Sequence, residues 1–476
     1  MAFLESLTWR KRMSYRLSYF ARYNSLQWAI AIAAGTILTL SFFLFNLPAR
    51  QSLLRAFQPA SSSYRPSKNG NSSWNSSWNS SWNSSWNTER DRDNLFMDRS
   101  RCRSAFPGLF DDIYRLVANR RSNPITIREM ESLSGQEENW MKANTRDHAV
   151  GYIDNGNIHV TSYRRSTFSR ALASLHALHR AVITAPEPIP DIVFNLLPGD
   201  STKDAAVWGL CRHVGDKTTW LMPDFGFWAW PEPGVGSYVK VQQEAREMEQ
   251  GAPVPRDVLE AVSSNETATM YTWANKIPKL VWRGATYINE HQRMQLMDVA
   301  RDQPWADVKD IVWTGPGKPP ANLLSVNEFC KYKYIMYVEG HAYSGSLRSQ
   351  QNCRSVIIAP PLNWTTHYQH LMRRDWPDQN YVEVAADFND LAETVAWLER
   401  NPKAAERIAD NSARAFRDRY ISPAAEACYW RELIHGWAEV SEKPRIWEQG
   451  EDDRWKRRGA PFEDVVLMGE VEWKNF

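Results

Sequence analysis

NEFCKYKYIMYVEGHAYSGSLRSQQNCRSVII, from Asn327 to Ile358, is the stretch whose reading decides the fold. Its apolar and aromatic run Tyr332 to Val338 reads as a buried strand that stops at Glu339-Gly340. A polar turn then leads into Ser344, Gly345 and Ser346, the start of a helix that carries Arg348. A second apolar run, Ser355 to Ile358, follows and is ended by Pro360-Pro361. Strand, small-residue turn, helix start and strand make a βαβ unit. The free N–H groups and positive dipole end of such a helix start suit a phosphate. On spacing alone, an ordinary βαβ unit in a parallel sheet reads the same way.

Outward from that unit the chain alternates. From Lys279 the strands read KLVWRG, DIVW, KYKYIMYV, SVII and NYVEV, and the helices Asp390 to Glu399 and Pro402 to Arg417 follow, the latter with Asn401 as cap and Pro402 as first residue. Upstream, FPGLFDDIYRLVANRR has helical period. Arg165 to Val182 places Phe168, Leu172, Leu175, His179 and Val182 on one face. His176 and His179 read as helix-face residues rather than ligands. DIVFNLL, Asp191 to Leu197, reads as a buried strand ending at Pro198-Gly199-Asp200, and Thr218 to Met222 as a short one. Alternation of this kind predicts an α/β fold with two Rossmann-like, doubly wound domains, over 101–275 and 276–440, facing each other across a cleft. The charged segment 441–476 has no readable pattern and is taken as a tail.

With 476 residues the chain exceeds a single core. A net charge of +2 gives no field for nucleic acid, so no nucleic-acid partner is expected. Five scattered cysteines with no CxxC pair disfavour zinc; in an oxidising lumen they allow two disulfides, with the pairing open. Trp28 to Leu47 carries no charge and is long enough, at about 1.5 Å per residue, to span roughly 30 Å of hydrocarbon. Arg10, Lys11, Arg12, Arg16 and Arg22 precede it, so residues 1–27 are expected in the cytosol, 28–47 in the bilayer as a signal-anchor, and the rest in the lumen. Residues 48–100 read as a low-complexity stem. Its NSSW repeat offers N-x-S sequons at Asn71, Asn75, Asn79 and Asn83, for glycosylation or as a slippage expansion without a role.

CKYKYxxxxEGxxYSGSLR, followed by Cys-Arg-Ser-Val-Ile-Ile, resembles the donor-binding segment of glycosyltransferase family 90, the capsule-associated fungal transferases and Rumi-like protein O-glucosyltransferases. LVWRGATYINEHQR resembles that family's Trp-Arg-Gly segment, with Arg283, Gly284 and Arg293 as donor-binding candidates beside Glu339, Gly340, Ser344, Gly345, Ser346 and Arg348. LMPDFGFWAWPEPGVG resembles its cleft-lining stretch and supplies Asp224, Phe227 and Trp228. Asp224-Phe225-Gly226 also matches a kinase triplet, but no Gly-rich loop, strand lysine or His-Arg-Asp loop accompanies it. NYVEVAADF through Cys428-Tyr429-Trp430 is similar to the family's C-terminal portion, so the resemblance runs from Cys102 to Val440.

What the resemblance implies is a GT-B-like, inverting enzyme that moves glucose or xylose from a UDP-sugar to a hydroxyl of a glycan or protein. It would sit in the Golgi or ER membrane as a single-pass type II protein. The only Asp-x-Asp, Asp91-Arg92-Asp93, falls in the stem, so neither metal nor cofactor is expected and arginines would neutralise the diphosphate. The family's base is an Asp three residues beyond an Asn. Here Asn195 is followed at that offset by Pro198, and Asp200 is the nearest acid, favoured over Asp204 and Asp224. The competing expectation is a membrane-anchored sugar-binding or scaffold protein that keeps the fold without turnover.

Overall fold

The computed structural model describes residues 86–130, 148–164, 170–200, 205–230, 235–250, 270–312, 320–450 and 453–468. The apolar run Trp28 to Leu47, the NSSW sequons and Asp204 lie outside these residues. Among the described residues no helix is long and apolar enough to cross a membrane. Folded structure is already present at Trp86, whose ring meets Phe106 edge-on at 5.1 Å, ahead of the Ser100 stem limit read from composition. Asp91 is buried there, held by Arg90 and Arg101.

The N-terminal half is built on β1 (His148–Asp154), β2 (Asn157–Arg164), β3 (Ile192–Leu197), β4 (Trp208–Gly209) and β5 (Trp220–Leu221). This sheet is mixed, which corrects the doubly wound parallel expectation for this half. β1 runs antiparallel to both β2 and β3, and only β3, β4 and β5 are parallel. The cause is local: Asn155 and Gly156 both have positive φ, 49° and 76°, the two-residue turn that returns a strand on itself. β3 is buried at all six positions, so its unbroken apolar run reads correctly as a strand covered on both faces. Helices α1 (Arg99–Ala105), α2 (Asp111–Arg120) and α3 (Arg170–Ile183) contribute to its core. α4 (Tyr238–Gln250) starts in that core through Tyr238 and Val241 and reaches the other half through Ala245.

The C-terminal half is the parallel α/β unit that the alternation predicts. Strands β6 (Ile277–Gly284), β7 (Ala306–Asp310), β8 (Tyr332–Met336), β9 (Val356–Ala359) and β10 (Val382–Glu383) lie in the order β7-β6-β8-β9-β10, every pair parallel. The edge strand is Ala306–Asp310 rather than DIVW. α5 (Glu290–Ala300) crosses from β6 to β7, and α6 (Ser346–Gln350) from β8 to β9. α7 (Leu391–Arg400) and α8 (Pro402–Ala415) cover one face of the sheet through Leu391, Val395, Leu398, Ile408 and Ala409. Asn401 does not cap α8 with its side chain; its amide donates back to Trp397 O at 2.8 Å.

The chain then returns to the first half. α9 (Pro423–Ala438), capped by Ser422, buries Trp430 and Trp437 among Trp208 and Trp220, and Trp437 Nε1 donates to Val193 O at 2.8 Å. Cys428 on α9 is disulfide-bonded to Cys102 on α1. The segment after residue 440 is not a loose tail either. α10 (Phe462–Met468) buries Phe462 and Val465, and β11 (Ala460–Pro461) pairs with β2 as the sheet's edge.

One buried charge cluster clamps α4 to the second half. Glu249, on the last turn of α4, accepts from Lys276 Nζ at 2.6 Å and Arg417 Nη1 at 2.7 Å, and Lys276 also donates to Cys330 O and Ser355 Oγ. Burial pulls the Lys276 ammonium pKa down, and only Glu249 opposes this strongly. Glu249→Gln leaves buried Lys276 without its carboxylate and Arg417 with Asp418 as its remaining one, so the expected loss is about 3–5 kcal/mol in urea unfolding. A loss under about 1 kcal/mol would mean that the clamp is not what couples these elements.

Candidate functional site

In parallel sheets, ligands are met at the carboxyl ends of the strands. Here β6 ends at Gly284, β8 at Met336 before Glu339-Gly340, and β3 at Leu197 before Asp200. The sequence-derived residues collect at these ends, but their side chains do different things.

Arg348 does not stand open to a ligand. It is buried on α6 and its Nη1 donates to Asp224 Oδ1 at 2.5 Å. Asp224 is itself buried and caps the short helical turn Phe225–Phe227 by accepting from Gly226 N at 2.6 Å; its other oxygen accepts from the Tyr343 hydroxyl. That partnership and burial push the Tyr343 phenol pKa well above its ordinary value, with burial the larger cause. The Arg348 guanidinium lies over the rings of Tyr238 at 5.2 Å, Phe227 at 5.4 Å and Trp230 at 5.8 Å. A Cβ at Gly226 would fall 2.2 Å from Nη1, so only glycine admits the guanidinium here.

Arg283 is also engaged. It makes two bonds to the Asp307 carboxylate, at 2.9 and 3.0 Å, and donates to Asp307 O. Tyr332, Arg283 and Lys309 hold the Asp307 carboxyl down at about 2, against the upward pull of burial. Asp307 and Tyr332 line a cavity of about 790 Å³ together with Lys279, Arg301 and Lys309. This cavity includes the starts of β6 and β8, the opposite edge from the candidate site. Gly284 closes β6, its carbonyl accepting from Ile311 N at 3.0 Å.

Arg293 differs from both. It is buried near the start of α5, donates to Ala285 O at 2.8 Å and Glu339 O at 3.2 Å, and pairs with no carboxylate among the described residues. Burial lowers its pKa to about 10, leaving it protonated at neutral pH. Glu339 and Gly340 adjoin it. The Glu339 carboxylate accepts the backbone N–H groups of Asn363 at 3.2 Å and Trp364 at 2.9 Å, tying together the loops that leave β8 and β9, and burial pushes its pKa up. Ser344 N donates to the Tyr337 hydroxyl at 2.9 Å, the Ser344 and Ser346 hydroxyls bond each other, and Gly345 lies against the Trp230 ring.

On the first half, Asp200 follows β3 with its side chain half exposed, and Arg170 Nη1 donates to it at 2.8 Å. The same guanidinium lies 4.9 Å from the Phe225 ring, which places Asp200 beside the Asp224 turn. Trp228 stacks on His176 at 5.1 Å and under Arg180 at 4.9 Å, while Phe227 is buried. Sequence reasoning did not single out Tyr343, Arg170, Trp230 or Tyr238. Tyr343 stands within the YSGSLR wording itself; for the others the signal lies only in the fold.

A family model described as Glycosyl transferase family 90 matches residues 128–451. O-glucosyltransferase LpsA of Dichelobacter nodosus is 28% identical over 171 residues, which is 34% of this chain and 52% of that protein. Protein O-glucosyltransferase 1 of Homo sapiens is 22% identical over 178 residues, 35% of this chain and 43% of that protein. The O-glucosyltransferase rumi homolog of Aedes aegypti is 24% identical over 191 residues, 38% and 46% respectively. The chain spans about half the length of the curated relatives it matches.

The contact between Asp224 and Arg348 can be measured by a double-mutant cycle. Asp224→Asn and Arg348→Met are each expected to lower stability by about 3–5 kcal/mol, because each strands a buried partner. The double variant should lose less than the sum by 1–3 kcal/mol, roughly the range for residues in direct contact. Additive losses would mean that the two side chains do not meet in solution.

Proposed function

We propose, from the premise that this chain belongs to glycosyltransferase family 90, that it moves a sugar from a UDP-sugar to an acceptor oxygen in one inverting displacement. An acceptor hydroxyl oxygen attacks the anomeric carbon, the bond from that carbon to the diphosphate breaks, and a carboxylate takes the hydroxyl proton. Relatives whose names specify O-glucosyl transfer favour glucose as the sugar, with xylose next. The acceptor is a hydroxyl of a glycan or a protein.

One observation carries this reading. The Arg293 guanidinium is buried at the carboxyl ends of β6 and β8, where it donates to two carbonyls, lies 5.7 Å from the Trp282 ring and pairs with no carboxylate among the described residues. A buried cation without a counter-charge is costly, and a diphosphate placed there would supply one. Gly340, beside Arg293, presents no side chain to block its approach. Arg283 and Arg348, each neutralised by a carboxylate, would shape the site rather than bind the leaving group. Asp200 suits the base because its carboxylate is half exposed at the end of β3. Asp224 does not, since Gly226, Tyr343 and Arg348 already occupy its oxygens.

The compartment reading draws support from the two disulfides, Cys102–Cys428 and Cys330–Cys353, which belong to an oxidising lumen. With the basic flank and the apolar run before the stem, they favour a Golgi or ER protein with a luminal catalytic part.

The test is UDP release by the full chain with UDP-glucose and UDP-xylose, together with calorimetric UDP binding. Arg293→Ala should weaken UDP binding by about 1.5–3 kcal/mol, the scale of a hydrogen bond to a charged group. Asp200→Asn should keep UDP binding and cost on the order of 10²–10⁴ in transfer rate. Undiminished UDP affinity in Arg293→Ala would move the diphosphate elsewhere, and undiminished transfer in Asp200→Asn would reduce that residue to a turn aspartate. A parent that binds UDP but releases none from either sugar would favour the scaffold reading.

A further inference from the structure

Asn363-Trp364-Thr365 is an N-x-T sequon with no proline at its centre. It lies in the loop that leaves the carboxyl end of β9, at the seam between the halves. The loop backbone is fixed from both sides. Asn363 and Trp364 donate their N–H groups to Glu339, and Val214 N donates to Asn363 O at 2.8 Å. Trp364–Thr365 pairs antiparallel with Arg212–His213, and the Trp364 ring meets His213 edge-on at 5.7 Å. Yet Asn363 itself is exposed. Among the described residues its side-chain amide makes one hydrogen bond, Nδ2 to Glu339 Oε2 at 3.4 Å, at the long limit for such a bond.

We propose that Asn363 is an N-glycan attachment site, a reading that rests on the luminal placement of this part of the chain. The donor is an oligosaccharide linked to a lipid diphosphate. Asn363 Nδ2 forms the new bond to the anomeric carbon, the carbon–oxygen bond to the diphosphate breaks, the amide loses one proton, and the lipid diphosphate leaves. The linked amide still carries one N–H. The long contact to Glu339 and the glycan are therefore compatible, and the backbone bonds that hold Glu339 are untouched. The carboxamide is on the surface, so the folded loop can carry the glycan without opening.

The experiment expresses the full chain in a eukaryotic secretory host and removes N-glycans enzymatically in heavy-oxygen water, which marks each former attachment site as a labelled Asp. Peptide mapping then reads position 363 and the Asn71 to Asn83 repeat. Label is expected at 363 in the parent and in Thr365→Ser, and is expected to vanish in Thr365→Ala, which leaves Asn363 and its Glu339 contacts in place. Label in the repeat but none at 363 overturns the proposal and leaves the luminal reading standing. Label nowhere overturns both. Label at 363 that persists in Thr365→Ala would show deamidation rather than attachment, and overturns the proposal as well.

Discussion

A carboxylate and a guanidinium from opposite halves, Asp224 and Arg348, meet where neither reaches water, and the seam of the molecule is arranged around them. Desolvating two such groups costs several kcal/mol each, so the contact persists only where further donors and ring faces compensate. The structure supplies these: the Gly226 N–H and the Tyr343 hydroxyl on the carboxylate, and the faces of Phe227, Tyr238 and Trp230 on the guanidinium. Two glycines are required by this crowding. A side chain at Gly226 would strike the guanidinium, and one at Gly345 would fall 2.4 Å from the Trp230 ring. PDFGFWAW and YSGSLR, more than a hundred residues apart, are thus two sides of one contact. That is a physical reason for the two wordings to occur together.

Charge compensation also separates the arginines. A carboxylate cancels a guanidinium's charge, whereas carbonyls contribute only dipoles. Arg283 with Asp307 and Arg348 with Asp224 are each neutralised by a paired carboxylate, whereas Arg293 pairs with no carboxylate among the described residues. Burial lowers its pKa to about 10, because a cation is disfavoured where water is excluded. An anion beside it would raise that pKa again, so binding would relieve a cost that the free protein carries. A positive residue in a motif is legible in sequence; what it is already tied to is not.

The C-terminal half was legible because its strands are short apolar runs between helical periods, and because Pro402 and the Glu339-Gly340 stop mark real boundaries. The N-terminal half was less so. Asn155-Gly156, between the apolar runs of β1 and β2, is a hairpin signal that was available, and reading it would have turned the sheet mixed rather than parallel. The edge strand Ala306–Asp310 was displaced to DIVW because its own residues alternate charge with small apolar side chains, as an edge half exposed to water permits. Nothing in KPRIWEQGEDDRWKRRGAPFEDVV announces burial, yet Phe462 and Val465 enter the first core. Their covering surface is supplied by β2 and α3, and so by tertiary contact alone. Asn363 stands alone in sequence, away from the dense sequons of the repeat, and its exposure is visible only on the folded loop.

Linear boundaries also fail for a covalent reason. The first half needs residues from Trp86 onward, the sheet up to Leu221, and then α9 and α10 after the whole second half has been made. The Cys102–Cys428 bond closes a loop of 326 residues and lowers the entropy of the unfolded chain by an amount worth on the order of 5 kcal/mol. Cutting near residue 275 would therefore release neither half intact. The second disulfide acts on a smaller scale. Cys330 and Cys353 stand just before β8 and β9, at the starts of two neighbouring strands. It pins those strands at the end away from Glu339, Gly340 and Arg293, so the carboxyl edge is braced from behind. The loops at that carboxyl edge are held instead by non-covalent contacts, the Asp224–Arg348 and Arg170–Asp200 ion pairs and the Glu339 hydrogen bonds among them.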